Sequence, residues 1–232
     1  MISVCMATYN GEVYIKKQLE SILNQLNEND ELIICDDQSS DETTKIISSI
    51  NDSRIKLYVN EVNLGVVKTF EKALNYCNGD YIYLSDQDDI WYKNKVEKYQ
   101  SQFNNGAVLV MANQDIIDEN DTLTGQTFFD IRKTRTGFLK NLIKNTYIGC
   151  SIAFKKDLLK VILPFPSTLP MHDSWIGLNA ERYGKVILID EPLMGYRRHS
   201  NNVTQLKSSR SIPVQITDRI NLISNLVKRR VK

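Results

Sequence analysis

The sequence predicts an α/β protein with a mostly parallel central sheet and helices on both of its faces. Three observations lead there. Short runs rich in Ile and Val recur at residues 2–7, 31–35, 54–59 and 80–84; stretches with apolar residues at helical spacing separate them; and each run stops abruptly at polar turn residues. Short buried strands alternating with amphipathic helices are the pattern of crossover connections, which set strands parallel and pack helices above and below them.

Taken in order, ISVCMA (2–7) is a strand ending at the turn-rich TYNGE, and Ile15, Leu19, Ile22, Leu23 and Leu26 then repeat as one helix face does. ELIIC (31–35) is a second strand ending at Asp36-Asp37. SSDETTKIISSI follows, with Ser and Asp ahead of Glu and an amphipathic stretch, which is a helix start signal. RIKLYV (54–59) alternates as a strand, NEVNLG breaks it, residues 66–76 are again helical in period, and DYIYL (80–84) ends at SDQDD. The second half is less regular. AVLVMA (107–112) reads as a strand, 115–135 as a loop or excursion, 145–154 as a strand and 155–163 as a short helix. Pro164, Pro166 and Pro170 precede a helical stretch that opens MHDSW, and KVILID (185–190) is the last strand. No repeat and no compositional break divides the chain, so residues 1–205 are expected to form one domain, followed by a tail at 206–232.

Composition narrows the function. The 232 residues carry 29 Lys+Arg against 28 Asp+Glu, a net charge of +1 that gives no general electrostatic reason to bind nucleic acid. A hydrophobic content of 42% excludes a disordered chain. Cys5, Cys35, Cys77 and Cys150 form no CxxC pair and are expected as reduced core residues in a cytosolic protein. The opening lacks a basic n-region, and no apolar run approaches the roughly 20 residues that span a bilayer. The expectation is a soluble body.

In open α/β sheets, ligands bind beyond the carboxyl ends of the strands. Those ends here are TYNG, DDQSS and SDQDD, and none is a glycine-rich phosphate loop. Carboxylates at i and i+2 after a strand, Asp86 and Asp88, suit a divalent cation such as Mn²⁺ or Mg²⁺, which takes hard oxygen ligands and can carry a phosphate past acidic walls. An acidic turn whose Asp89 caps the next helix is the other reading of the same letters.

VCMATYNGE, LIICDDQSSDET, NEVNLGVVKTF and GDYIYLSDQDD together resemble the family 2 glycosyltransferases, and SDQDDIW after NLGVVKTF is most similar to the bacterial rhamnosyltransferase-type members that build cell-surface polysaccharides. The resemblance covers residues 1–105 and, through shorter motifs, 145–205; residues 113–145 match nothing. It implies the GT-A fold, with a nucleotide-sugar-binding half at 1–105, an acceptor half at 106–205, and a UDP- or dTDP-linked sugar as donor. Ala7, Thr8, Tyr9 and Asn10 would lie along the nucleotide, with Tyr9 against the base. Asp37 would hydrogen-bond the base while Asp36 supports the turn. Asn63 and Gly65 would sit near base and ribose, and Lys68 would reach a phosphate unless it is simply an exposed helix residue. Asp86 and Gln87 would face the donor and Asp88 would ligate the metal.

MHDSW (171–175) resembles the acidic segment that opens the acceptor-side helix. The resemblance makes Asp173 the general base, with a helix cap as its alternative, and puts His172 (where the family usually has Glu), Trp175 and Asp89 on the acceptor side. Trp175 is either a sugar-stacking platform or core. YRRHSNN (196–202) resembles a segment that closes over the diphosphate, with His199 as a third metal ligand and Arg197 or Arg198 steadying phosphate charge. In the tail, Ile216, Ile220, Ile223, Val227 and Val231 share one helical stripe ahead of Lys228, Arg229, Arg230 and Lys232. Such a basic amphipathic helix lies on an anionic membrane or packs on the protein itself or a second copy.

The expectation is an inverting, metal-dependent glycosyltransferase acting on a saccharide or lipid-linked saccharide at the cytoplasmic membrane face. Its rivals are a binding or scaffold protein of the same fold that has lost catalysis, and a nucleotidyltransferase, which would ordinarily show a glycine-rich basic loop where ATYNGEVY stands.

Overall fold

The computed structural model describes residues 1–199 and 212–229. The start of the tail at 206–211, and Val231, Arg230 and Lys232 at its end, lie outside the described residues. Strands β1 (Ile2–Thr8), β2 (Glu31–Asp36), β3 (Ile55–Val59) and β4 (Tyr81–Ser85) alternate with α1 (Ile15–Leu23), α2 (Thr43–Ser49) and α3 (Val66–Tyr76). The α1 side chains Ile15, Leu19 and Ile22 are fully buried one helical face apart, and Phe70, Ala73 and Leu74 do the same for α3. Each such Ile or Leu contributes ~1.5–3 kcal/mol by leaving water, which fixes both helices on the sheet more firmly than their propensities would.

The chain continues through β5 (Ile90–Trp91), α4 (Lys95–Asn104), β6 (Ala107–Ile117), β7 (Leu123–Thr127), α5 (Phe128–Arg132), α6 (Phe138–Ile143), β8 (Ile152–Lys155), α7 (Leu159–Ile162), α8 (His172–Tyr183), β9 (Lys185–Arg197) and α9 (Ile212–Lys228). Among the described residues a nine-stranded sheet runs in the order β3-β2-β1-β4-β8-β6-β9-β5, with β7 added to β6. The first four strands are parallel, as expected. Beyond β4 the sheet is mixed, because β8 runs antiparallel to both of its neighbours while β6 and β9 are parallel to each other.

Registry decides where the site lies. Thr8 pairs with Asp36 and Met6 with Ser85, so the turns after β1, β2 and β4 open on one edge. The two residues of β5 pair with Met194 and Gly195 of β9, which carries the end of β9 back beside the turn that follows β4.

Three segments depart from the expected elements. The excursion at 115–135 is instead the end of β6, then β7 and α5. Its strand is buried on both faces through Asn113 and Gln114, so it has no period-two signature to read. In 145–154 only Ile152 onward is strand, with a 3-10 turn at Gly149–Ser151 before it. Helix α9 docks through Leu222 and Leu226, not through the predicted stripe, whose Ile216, Ile220, Ile223 and Val227 all stay exposed. The Arg182 guanidinium donates to the carbonyls of Leu226 and Arg229, which holds the end of α9 on α8. All four cysteines are free and buried.

Candidate active site

A cleft of about 600 Å³ opens at the strand ends. Of the residues expected there, Ala7, Thr8, Tyr9, Asn10, Asp37, Asn63, Gly65, Asp86, Gln87, Asp88, His172 and Asp173 line it. Carboxylates more than eighty positions apart thus face one cavity, the Asp86–Asp88 turn from the end of β4 and Asp173 from the first turn of α8.

The wall at the ends of β1, β2 and β4 is built by polar ties between strand ends. Asp36 accepts from the hydroxyl of Thr8 and from both the backbone N–H and the hydroxyl of Ser39, so it supports the turn. The Asp37 carboxylate accepts from Asn60 at 2.9 Å and from the N–H groups of Leu64 and Gly65 at 2.8 Å each. Burial raises its pKa, but the Leu64 N–H, the Asn60 and Thr69 side chains and the Gly65 N–H outweigh burial and leave it lowered. Gly65 has φ +81°, a left-handed conformation that glycine adopts without strain, and this turns the loop onto Asp37 at the head of α3. Gln87 accepts from the Tyr9 N–H at 2.9 Å and donates to the Tyr9 carbonyl at 3.0 Å, clamping the turn after β4 to the turn after β1. Gly11 permits that approach, because a side chain there would collide with the Gln87 amide.

The acidic turn is electrostatically loaded. Burial, then the charges of Asp88 and Asp173, raise the Asp86 carboxyl to about 7. His199 Nε2 stands 2.8 Å from Asp88 Oδ2, and its ring stacks on Tyr14. His199 is not among the residues lining the cleft; it reaches Asp88 from the stretch that follows β9. The His199 imidazole and the Asp88 carboxylate are two ligands of kinds that Mn²⁺ accepts, and among the described residues no third carboxylate, thiol or imidazole atom groups with both within 4.8 Å. A trio of other residues, Asp86, Asp89 and Cys150, brings its ligand atoms within 4.8 Å of one another. That trio suits a cation poorly. Asp89 and Cys150 are buried, burial holds the Asp89 carboxyl and the Cys150 thiol well above their ordinary pKa values, and the ammonium of buried Lys95 acts on both of them.

Asp173 sits at the positive end of α8, where its Oδ1 accepts the Ser174 N–H at 2.6 Å. Burial raises its pKa to about 6, against the lowering effects of the Ser174 N–H, the Arg132 charge and the Asn145 side chain. His172 packs its ring on Phe70, with centroids 4.3 Å apart, and burial lowers it to about 4, so it is a neutral imidazole at physiological pH.

Four of the expected site residues stand apart from the site, Trp175 and Lys68 in the alternative reading already given for each, and Arg197 also differs. Trp175 is fully buried and donates to the Ile162 carbonyl at 2.9 Å, so it is core and offers no face to a sugar. Asp89 is buried with its carboxylate accepting the Arg197 N–H, which turns it away from an acceptor. Lys68 lies outside the cleft wall and pairs with Glu71 at 2.6 Å. Arg198 also stands outside the wall, where its guanidinium donates to the Tyr196 hydroxyl at 3.2 Å. Arg197 is buried and bonds the Asp88 carbonyl at 2.7 Å and Asp121, so it braces the acidic turn. Sequence reasoning missed Phe128, Arg132, Tyr147, Gly149 and Tyr196, which also line the cleft. Arg132 stands in the stretch without a motif, and only its basic neighbours Lys133 and Arg135 marked it.

A family model described as "Glycosyl transferase family 2" matches residues 3–163. The chain belongs to glycosyl transferase family 2. It is 36% identical over 161 residues to the *Escherichia coli* UDP-Glc:alpha-D-GlcNAc-diphosphoundecaprenol beta-1,3-glucosyltransferase WfgD, a match that covers 68% of this chain and 62% of that one. It is 30% identical over 226 residues to the *Shigella flexneri* dTDP-rhamnosyl transferase RfbG, covering 85% of this chain and 72% of that one. The fold is shared with *S. aureus* TarS 1–349, solved in complex with UDP-GlcNAc, at TM-score 0.77 and 18% identity over 100% of this chain and 68% of that one. It is also shared with the *Pyrobaculum calidifontis* mannosyltransferase PcManGT, solved with GDP-Man and Mn²⁺, at TM-score 0.64 and 17% identity over 99% and 64%. The fold is therefore the expected GT-A fold. The chain spans 62% of the length of WfgD.

Proposed function

We propose that the protein is an inverting, divalent-metal-dependent glycosyltransferase. It moves a sugar from a UDP- or dTDP-linked donor to a saccharide or lipid-linked saccharide acceptor in cell-surface polysaccharide synthesis, at the inner face of the cell membrane. The observation that carries this reading is the meeting of the Asp86–Asp88 turn and Asp173 across one cleft. The relatives' names, which pair a UDP- or dTDP-linked sugar with transfer and in one case a diphosphoundecaprenol-linked acceptor, support the substrate classes.

In this reading the nucleotide lies along Ala7–Asn10 under Tyr9, with Asp37, Asn63 and Gly65 framing base and ribose. Asp88 and His199 would hold the cation, which when bound neutralises diphosphate charge as the nucleotide leaves. Asp86 and Gln87 position the donor sugar. Asp173 takes the proton from the acceptor hydroxyl as its oxygen attacks the anomeric carbon from the face opposite the nucleotide. Its pKa of about 6 leaves it ionised at neutral pH yet closer to the proton it must take than an ordinary carboxylate would be. His172 offers a neutral imidazole to the acceptor side. The exposed stripe of α9 supplies peripheral contact with the membrane.

The test is nucleotide release and sugar transfer over a panel of nucleotide-sugars, with Mn²⁺ and with a chelator. Metal-dependent release from a UDP- or dTDP-sugar is expected. Metal-dependent binding without release or transfer would identify a catalytically inactive binder instead.

A further inference from the structure

Large apolar side chains are exposed on two helices that flank one end of α8. On α6, Leu139 and Ile143 are 70% and 66% exposed, one helical turn apart. On α9, Ile220 and Val227 are 61% and 77% exposed and share a stripe with Ile216 and Ile223. The same turn of α8 holds both helices. Glu181 accepts the Gly137 N–H at 2.6 Å just ahead of α6, and its neighbour Arg182 holds the end of α9. Exposed apolar residues scattered singly need no explanation, but groups of them on two helices tied to one turn of α8 mark a contact surface.

Charge says what the contact is with. Residues 128–144 carry Arg132, Lys133, Arg135, Lys140 and Lys144 against Asp130 alone, net +4 in a chain whose total is +1. Lys140 and Lys144 are exposed beside Leu139 and Ile143, and Arg219 and Lys228 are exposed along α9. Apolar residues interleaved with cations on surface helices match the anionic interface of a bilayer, where the apolar groups enter the headgroup boundary and the cations meet phosphate. A second copy of the chain would set like charge against like charge across a two-fold contact. The excursion also reaches the chemistry, since Phe128 and Arg132 line the cleft and the Arg132 charge acts on Asp173.

We infer that the outward faces of α6 and α9 form one docking surface for an anionic phospholipid bilayer, which turns the acceptor side of the cleft toward the membrane. This rests on the reading of a lipid-linked acceptor and adds α6 to the tail as the element that reads the membrane.

The test is flotation of the full chain with phosphatidylcholine vesicles, with and without phosphatidylglycerol. Wild type is expected to float with the anionic vesicles only, and to be released by high salt as the charges are screened. Leu139→Ser/Ile143→Ser and Ile220→Ser/Ile223→Ser should each lower the bound fraction roughly tenfold or more. Both variants should keep wild-type donor affinity and wild-type transfer to a water-soluble acceptor. Three results overturn the inference: no flotation of wild type, equal flotation on neutral vesicles, or α6-variant flotation equal to wild type. A dimer in light scattering that these substitutions dissociate, without vesicle binding, overturns it in favour of self-association. Failure of wild type to bind any nucleotide-sugar in calorimetry strikes the enzyme reading and leaves the flotation result standing.

Discussion

The two sides of the cleft are built differently. The donor side, from β1 to the turn after β4, sits on parallel strands whose ends are level, and its polar residues are tied to one another: Asp36 to Thr8, Asp37 to the loop at Leu64 and Gly65, Gln87 to Tyr9. The acceptor side is assembled on the mixed part of the sheet around α8, and its groups are held by burial. Asp173 and His172 both have pKa values displaced chiefly by desolvation. A tied carboxylate such as Asp37 is held below its ordinary pKa, whereas one held by burial is raised toward the range in which it can exchange a proton. Asp86, at the turn after β4, stands on the first wall yet shares the burial of the second, which raises its carboxyl to about 7.

The largest effect that can break this contrast is on Asp173. Asp173→Asn should keep donor affinity in calorimetry and lower turnover by roughly 10²–10⁴, the span of a lost general base. Near-normal turnover would move the base elsewhere. Next is Trp175. Trp175→Ala should destabilise the fold by ~3–5 kcal/mol in denaturant unfolding, as a buried tryptophan does, and leave an unpaired Ile162 carbonyl. A raised acceptor KM on an undiminished fold would restore the sugar-platform role.

A third effect has a sign set by linkage. The Asp86 carboxyl is raised to about 7 in the folded chain, so its ionisation opposes folding above that pH, and the penalty vanishes below the unfolded value near 4. Asp86→Asn should therefore raise the thermal midpoint of the metal-free protein at pH 8 and raise it far less at pH 4. A lower midpoint at pH 8 would show that the charge is compensated. The smallest expected effect belongs to Arg132, whose charge lowers Asp173. Arg132→Ala should move the acid limb of the rate profile, near pH 6 in wild type, upward by up to roughly one unit. An unmoved limb would remove Arg132 from the environment of the base.

The same difference explains what could be read in advance. On the first wall Thr8, Asp37, Asp86 and Asp88 lie at or just past the end of an apolar run, so the run that ends at Leu84 announces Asp86 and Asp88 without knowledge of any tertiary contact. The boundaries of α3, at Val66 and Tyr76, were equally legible because its apolar face repeats cleanly. Asp173 was reachable through MHDSW alone. Arg132 and Tyr147 were not, because they reach the cleft through long-range pairing: β6 with β9, and Tyr147 with Glu181 thirty-four residues on. Trp175 and Asp89 misled for one reason, in that a polar or aromatic residue beside a motif looks functional until burial shows it to be support. The α9 stripe was found correctly as a stripe, but a helix can be apolar on two faces, and the core took Leu222 and Leu226.

A donor-bound crystal structure with Mn²⁺ tests most directly whether the two walls grip a single sugar. The diphosphate should lie against Asp88, and the anomeric carbon should turn its free face to Asp173 with room for one hydroxyl oxygen at roughly 3–3.5 Å, the spacing of a near-attack geometry. A sugar seated with Asp173 behind the nucleotide, or beyond the reach of any shared hydroxyl, would contradict the account.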